Sequence, residues 1–415
     1  MRCSIFVLAT VVWAGCSAAP FSPGHVSDGG TRAGDAGPIG DGGIVSLNDQ
    51  WSWVPVEGSE CASGSTAGIG INRGPTGDDL FIFMMGGGAC WNQGTCLPSL
   101  LQYGPICYYN PNLCAYDGAG GQQPTASNVG GDPYPKDGGG VIPNELKSLT
   151  TSAITQRSNP ANPFRNATFV FVPYCTGDLH SGSATRSYQT QYEAFGPIRS
   201  AMVHFSGATN MDRYLERIAA TLPSVKRVWL TGISAGGYGA TLNYERVARK
   251  FEQAEVHLLA DSAPLIDTPA HWAQWRDTWN MQMPQGCTSC DAGFTGIIDH
   301  LAATYPSRRL ALLATQGDRV ITWFFFAGTG PDQFLNPPFG TYAAALSPLL
   351  AEYDARPNSR YFVLPGEEHV LLQGYGVIGA DGGVSAPRPS RDGGTNLKDW
   401  INAWATGDAG WASTR

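Results

Sequence analysis

The sequence predicts an α/β fold with a mainly parallel central sheet and helices on both faces. Two observations carry this. Six short apolar runs, Leu80–Met85, Thr168–Val172, Arg227–Thr231, Val256–Ala260, Leu310–Ala314 and Tyr361–Leu364, have the length and unbroken hydrophobicity of strands covered on both faces. Between them, Met211–Leu222 and Tyr238–Ala254 carry helical periodicity, and strands alternating with helices are the mark of this architecture. Such folds bind ligands beyond the carboxyl ends of their strands. Composition agrees: 42% hydrophobic residues argue against disorder, and 14% charged residues against a long solvated helix.

The N-terminus speaks to compartment. A basic start at Arg2 and an apolar stretch, Ser4 to Trp13, too short to span a bilayer, read as an export signal over residues 1–16. Trp13-Ala14-Gly15-Cys16 is similar to a lipobox, with Trp where Leu is usual. Cys16 is then either lipidated and the mature N-terminus, or discarded by cleavage near Ala18 or Ala19. Both readings export the chain, to a cell surface or outer membrane as a lipoprotein, or otherwise to the periplasm or medium. Residues 17–47 read as a flexible tether, with eight Gly and three Pro between positions 20 and 43. The catalytic domain is expected over residues 48–415, with any membrane contact confined to a lipid on Cys16. A formal charge of −8 supplies no basic field for phosphate backbones, so no nucleic-acid partner is expected.

Along the domain, Trp51–Val56 and Ala67–Asn72 read as an edge hairpin. At the other end, Leu397, Trp400, Ile401 and Trp404 form an i, i+3, i+4, i+7 stripe behind an Asn396 cap, which predicts a closing amphipathic helix. Setting Cys3 and Cys16 aside leaves eight cysteines, an even set that suits disulfides in an oxidising compartment. Cys287 and Cys290 are spaced C-x-x-C, but no second such pair accompanies them, which favours a local disulfide over zinc.

The chemistry-bearing motifs sit at the strand ends. Gly232-Ile233-Ser234-Ala235-Gly236 joins a strand to a helix, and a serine projecting from so sharp a turn needs small neighbours, so Ser234 is the candidate nucleophile. Gly86-Gly87-Gly88 closes the Leu80–Met85 strand and can turn backbone N–H groups toward an oxyanion; no Lys-Ser/Thr follows to make it a phosphate loop. Of seven histidines, His369 follows the Tyr361–Leu364 strand after nucleophile and acid, where the base belongs. Asp318, after the Leu310–Ala314 strand, gives the order Ser234, Asp318, His369. Asp261 is its competitor, although Asp261-Ser262-Ala263-Pro264 suggests a carboxylate that caps the following segment.

With these residues in place the chain resembles the pectin acetylesterase/Notum family of carbohydrate esterases, a branch of the α/β-hydrolase architecture. Gly86-Gly-Gly-Ala-Cys-Trp-Asn92, Pro173-Tyr-Cys-Thr-Gly-Asp-Leu-His-Ser-Gly182, Val203-His-Phe-Ser-Gly207 and Gly232-Ile-Ser-Ala-Gly-Gly237 carry the resemblance. There are departures. The family usually has Trp then Cys after the glycines, where Ala89 and Cys90 here precede Trp91. It often has Trp at the place of His180, and Cys at that of Ile233.

The resemblance implies a metal-independent, cofactor-free serine esterase with Ser234, Asp318 and His369 as catalytic residues and Gly87, Gly88 and Ala235 at the oxyanion. No cluster has catalytic-zinc spacing. It implies an ester substrate, O-acetyl groups on a polysaccharide such as pectin, with Trp91, Asp178 and His180 as candidate binding residues; His180 alternatively reads as a surface-loop histidine. The alternatives are a deacylase of acylated protein or lipid, and a catalytically silent surface binding protein. The resemblance also implies disulfides Cys61–Cys175 and Cys90–Cys96, leaving Cys107–Cys114 and Cys287–Cys290 as local pairs by proximity.

Overall fold

Ten strands lie among the described residues of the computed structural model, which are 44, 48–92, 96, 146, 149, 152–190, 199–326, 339–372 and 396–415. The export signal, Cys16, nearly all of the tether and the Cys107–Cys114 pair fall outside them. Eight strands form one sheet in the order β1-β2-β4-β3-β7-β8-β9-β10. These are β1 (Trp51–Glu60), β2 (Thr66–Asn72), β3 (Asp79–Met84), β4 (Thr168–Val172), β7 (Arg227–Ile233), β8 (Glu255–Asp261), β9 (Leu310–Thr315) and β10 (Ser359–Leu364). From β4 through β3 to β10 every pairing is parallel; β1 and β2 form the antiparallel edge hairpin expected, with β2 also antiparallel to β4. The expected α/β class with a mainly parallel sheet is borne out.

The apolar runs explain the layering. β4 and β9 are buried at every position, and β7 and β8 at all but the first, so helices and loops cover both faces. Helix α1 (Gly207–Thr221) packs on β1 and β2, and α2 (Ala235–Leu242) on β7 and β8. After α3 (Tyr244–Lys250) come α4 (Pro269–Trp279), α5 (Ile297–Thr304), α6 (Arg319–Phe326) and α7 (Phe339–Asp354), the last packed on β10. The closing helix α8 (Leu397–Thr406) forms as its stripe demands. Asn396 Oδ1 accepts from Asp399 N at 2.9 Å, Gly407 ends the helix at φ +75°, and Trp400, Ile401 and Trp404 are buried. Trp229 Nε1 of β7 donates to Ala405 O at 3.3 Å, tying the helix to the sheet centre.

Two features differ from expectation. The helix read from Tyr238 to Ala254 is two helices broken at Asn243, whose side-chain amide donates to Gly239 O at 2.9 Å and His180 O at 2.8 Å. An Asn side chain that competes for backbone carbonyls ends a helix that apolar periodicity alone would continue. The antiparallel pair β5 (Ala184–Thr190) and β6 (Arg199–Phe205) forms a separate sheet that was not expected. Positions 184–189 alternate between half-buried and exposed, so β5 carries no apolar run to announce it.

Disulfides join Cys61 to Cys175, Cys90 to Cys96 and Cys287 to Cys290. Alkylating native protein with iodoacetamide before reduction should therefore leave all six of these cysteines unmodified, and alkylation after reduction should label each. Peptide mass spectrometry reads the outcome, and early labelling of any of them would contradict the pairing.

Candidate active site

The sheet reverses its winding between β3 and β7: the chain passes from β3 to β4 on one side and later places β7 on the other. The crevice beyond the carboxyl ends of such a strand pair is where open α/β sheets bind ligands. The glycine run follows β3 and Ser234 follows β7, so the two motifs meet there.

Ser234 occupies φ +53°, ψ −126°, a strained conformation for a side chain with a Cβ, between β7 and the first turn of α2. Its N donates to Asp261 O at 2.8 Å, and its O accepts from Gly237 N at 2.8 Å. The turn is possible only because its flanks are bare: a Cβ on Gly232 would lie 2.1 Å from Gly236 O. A Cβ on Gly86 would lie 2.8 Å from Ser234 Cβ and 3.3 Å from Ala235 N, so the glycine loop rests directly on the serine turn. Gly88 follows at φ +85°. Ser234 itself is 8% exposed.

Asp318, fully buried, stands directly before α6. Its Oδ1 accepts from Val320 N at 3.0 Å and Ile321 N at 2.9 Å, which seats the carboxylate at the positive end of the helix. Its Oδ2 accepts from His369 Nδ1 at 2.8 Å. That bond directs the imidazole's Nε2 away from the acid, the tautomer a general base requires. Gly317 N donates to Gly366 O at 2.9 Å and Thr315 Oγ1 to Glu368 O at 2.8 Å, pinning the His369 loop to the end of β9. Among the described residues no hydrogen bond joins Ser234 to His369; Asp261 links their two loops instead.

Asp261 is fully buried, and its Oδ1 and Oδ2 accept from Leu371 N at 3.1 Å and Leu372 N at 2.6 Å. Burial pushes its carboxyl up to about 6 despite these donors. The expectation that Asp261 caps the segment following it is thereby corrected: its side chain serves backbone more than a hundred residues away. It does not contact His369 through a hydrogen bond, and Asp318 does.

The three candidate binding residues are largely enclosed. Asp178 is fully buried; it accepts from Thr176 Oγ1 at 2.6 Å, Gly207 N at 2.8 Å and Gly182 N at 3.1 Å, and burial raises its carboxyl. His180 is buried as well, which corrects its reading as a surface-loop residue: Nε2–H donates to Met85 O at 2.9 Å behind the glycine run, and the ring lies 4.7 Å from that of Tyr174. Burial lowers its pKa to about 4. Trp91 packs against His271 and Trp275 of α4, at 5.3 and 5.5 Å between ring centroids. Helix α4 was missed in the sequence, although His271, Trp275 and Trp279 recur at a spacing of four behind Pro269. Among the described residues no group of three or more His, Cys, Asp or Glu could hold a metal ion.

Comparison with known proteins bears out the family resemblance. Residues 142–282 match the family model described as Pectinacetylesterase, a span that includes Ser234 but neither Gly86–Gly88, Asp318 nor His369. The chain is 32% identical over 128 residues to human palmitoleoyl-protein carboxylesterase NOTUM, covering 29% of this chain and 24% of that one. It is 25% identical over 250 residues to the Drosophila melanogaster protein of that name, covering 55% and 31%. The chain thus spans only a quarter to a third of these relatives' length. In fold it is similar to the Wnt deacylase Notum from Drosophila, with a TM-score of 0.56 at 18% identity over 86% of this chain and 92% of that one.

The burial of His180 makes a prediction about acid. Its native pKa lies below the unfolded value, so between about pH 6.5 and 4 the unfolded chain binds the extra proton. Native stability is therefore lost as pH falls through that window, by on the order of 3 kcal/mol from this group. His180→Gln, which keeps a donor for Met85 O, should flatten the melting temperature between those limits; an unchanged slope would show that His180 contributes none of it.

Proposed function

We propose that this chain is an exported serine carboxylic ester hydrolase whose nucleophile is Ser234, with His369 as base and then acid and Asp318 orienting it. The observation that carries the reading is the 2.8 Å Asp318–His369 bond at the sheet edge where Ser234 projects from its strained turn. In this mechanism His369 Nε2 takes the Ser234 hydroxyl proton as Oγ attacks the ester carbonyl. The tetrahedral oxyanion is held by backbone N–H groups of Gly87, Gly88 and Ala235. Nε2 then protonates the leaving alkoxide, and water, deprotonated by the same nitrogen, releases the acid from Ser234.

Two substrate classes have support. The family description favours acetyl esters on polysaccharide such as pectin; the relatives named palmitoleoyl-protein carboxylesterase favour removal of a long acyl chain from protein, and do so at least as strongly. A lipid anchor on Cys16 would place the enzyme at a membrane surface. p-Nitrophenyl esters from acetate to long-chain acyl groups, run beside acetylated pectin, separate the classes. Turnover confined to short chains favours polysaccharide, and a rise with chain length favours the acyl-protein reading.

Ser234→Ala should abolish turnover and fluorophosphonate labelling at unchanged melting temperature, a fall of about 10⁶ in kcat by analogy with a serine protease. Asp318→Asn should leave the fold intact and the imidazole in the wrong tautomer, with a fall of up to ~10⁴. Full turnover in a folded Ser234→Ala protein would overturn the mechanism, and failure of the wild type to label would favour a silent binding protein.

A further inference from the structure

From the hydrogen bonds at the end of β8, we infer that Asp261 and Ser262 act as a clamp that sets the distance between the nucleophile and the base. The inference rests on the esterase reading above and adds two positioning residues to it.

The clamp has two sides. Toward the nucleophile, Asp261 O accepts Ser234 N at 2.8 Å. Toward the base, three consecutive backbone N–H groups directly after His369 are taken in turn. Val370 N donates to Ser262 Oγ at 2.9 Å, Leu371 N to Asp261 Oδ1 at 3.1 Å and Leu372 N to Asp261 Oδ2 at 2.6 Å. Ser262 Oγ in turn donates to Asp261 Oδ1 at 3.1 Å, and Ser262 N donates to Leu313 O at 2.8 Å, anchoring the clamp to β9.

The strain at these positions shows what the bonds do. Val370 sits at φ +69° and Ser262 at φ +51°, the first a left-handed conformation that a β-branched residue avoids. Such geometry persists only where surrounding bonds over-determine it, and it concentrates at functional sites. Here it turns the chain sharply after His369, so that the next N–H groups point at Asp261 while the ring faces Asp318. Asp318 orients the imidazole and Asp261 fixes where its backbone stands. A spacing error of about 1 Å between reacting groups costs on the order of 10²-fold in rate, which is the scale of effect such a clamp controls.

Asp261→Asn is the direct test, because its amide nitrogen must face one of two N–H donors and release it. The expected result is a folded protein whose kcat falls by up to about 10²-fold with KM unchanged, because positioning acts in the transition state. The low-field proton resonance of His369 Nδ1 should be broader in this variant than in the wild type, because the loosened loop admits water. Ser262→Ala, which frees Val370 N and removes the Ser262 bond to Asp261 Oδ1 but keeps both Asp261 bonds to the loop, should move kcat and the resonance the same way by less. A folded Asp261→Asn protein with unchanged kcat and resonance overturns the inference. Should that variant not fold, an unaltered Ser262→Ala overturns it, as does loss of folding in both, which would make the pair structural supports alone. A wild type without turnover or labelling would refute the esterase reading, and the resonance comparison would still decide whether Asp261 positions His369.

Discussion

The reactive edge depends on the level carboxyl ends of five parallel strands. Met84 of β3 pairs with Gly232 of β7, Gly232 with Ala260 of β8, Ala260 with Leu312 of β9, and Leu313 with Phe362 of β10. That register brings the loops bearing Gly86, Ser234, Asp261, Asp318 and His369 to one side of the sheet. A slip of one residue would turn every side chain of the slipped strand to the opposite face. Strands apolar on both faces do not resist such a slip through their hydrophobic pattern. The polar ties past the strand ends supply the missing specificity: Met85 N to Val172 O, Ser234 N to Asp261 O, Ser262 N to Leu313 O and Gln316 N to Leu364 O. The loops that hold the candidate chemistry thus also hold the strands that present them.

Much of this was legible in the sequence, and the exceptions share a physical cause. All six apolar runs are strands, because continuous burial leaves a local signature. Their limits shift where the ladder continues through residues that hydrophobicity does not mark, as when β7 runs on through Gly232 and Ile233. β5 left no signature, since a half-exposed polar strand resembles a loop until its partner is known. The break at Asn243 is of the same kind. Its amide reaches His180 O, sixty-three residues away, and no local window contains that carbonyl.

The candidate site divides likewise. Ser234, Asp318 and His369 could be named as candidates from chain order and strand ends, because the proposed reaction would dictate their types and the fold their places. The duties of Asp178, His180 and Asp261 could not, since each serves backbone donors or acceptors distant in sequence. Asp178 shows how the family stretches relate. It lies in the 173–182 motif, yet it accepts the N–H of Gly207 from the 203–207 motif. Those two motifs are joined by a structural bond, so Asp178 serves the scaffold that holds both stretches in place.

The same logic bears on where this chain departs from the motifs it resembles. Ala89 and Cys90 stand before Trp91, and the structure braces this segment heavily. Cys90 is bonded to Cys96, Cys90 O accepts Trp279 Nε1 at 2.7 Å, and Trp91 O accepts Thr278 Oγ1 at 3.1 Å. The Trp91 ring closes against the His271–Trp275–Trp279 stack of α4, whose neighbouring rings lie nearly parallel. A loop held this way keeps its backbone N–H groups fixed, which is the condition that the proposed oxyanion contacts require. Cys90 and Trp91 therefore lean on α4, while Gly86 rests on the Ser234 turn. The part of the segment that departs from the resemblance is thus braced by α4, while the part that meets the serine turn is bare glycine, so the two are held by separate contacts.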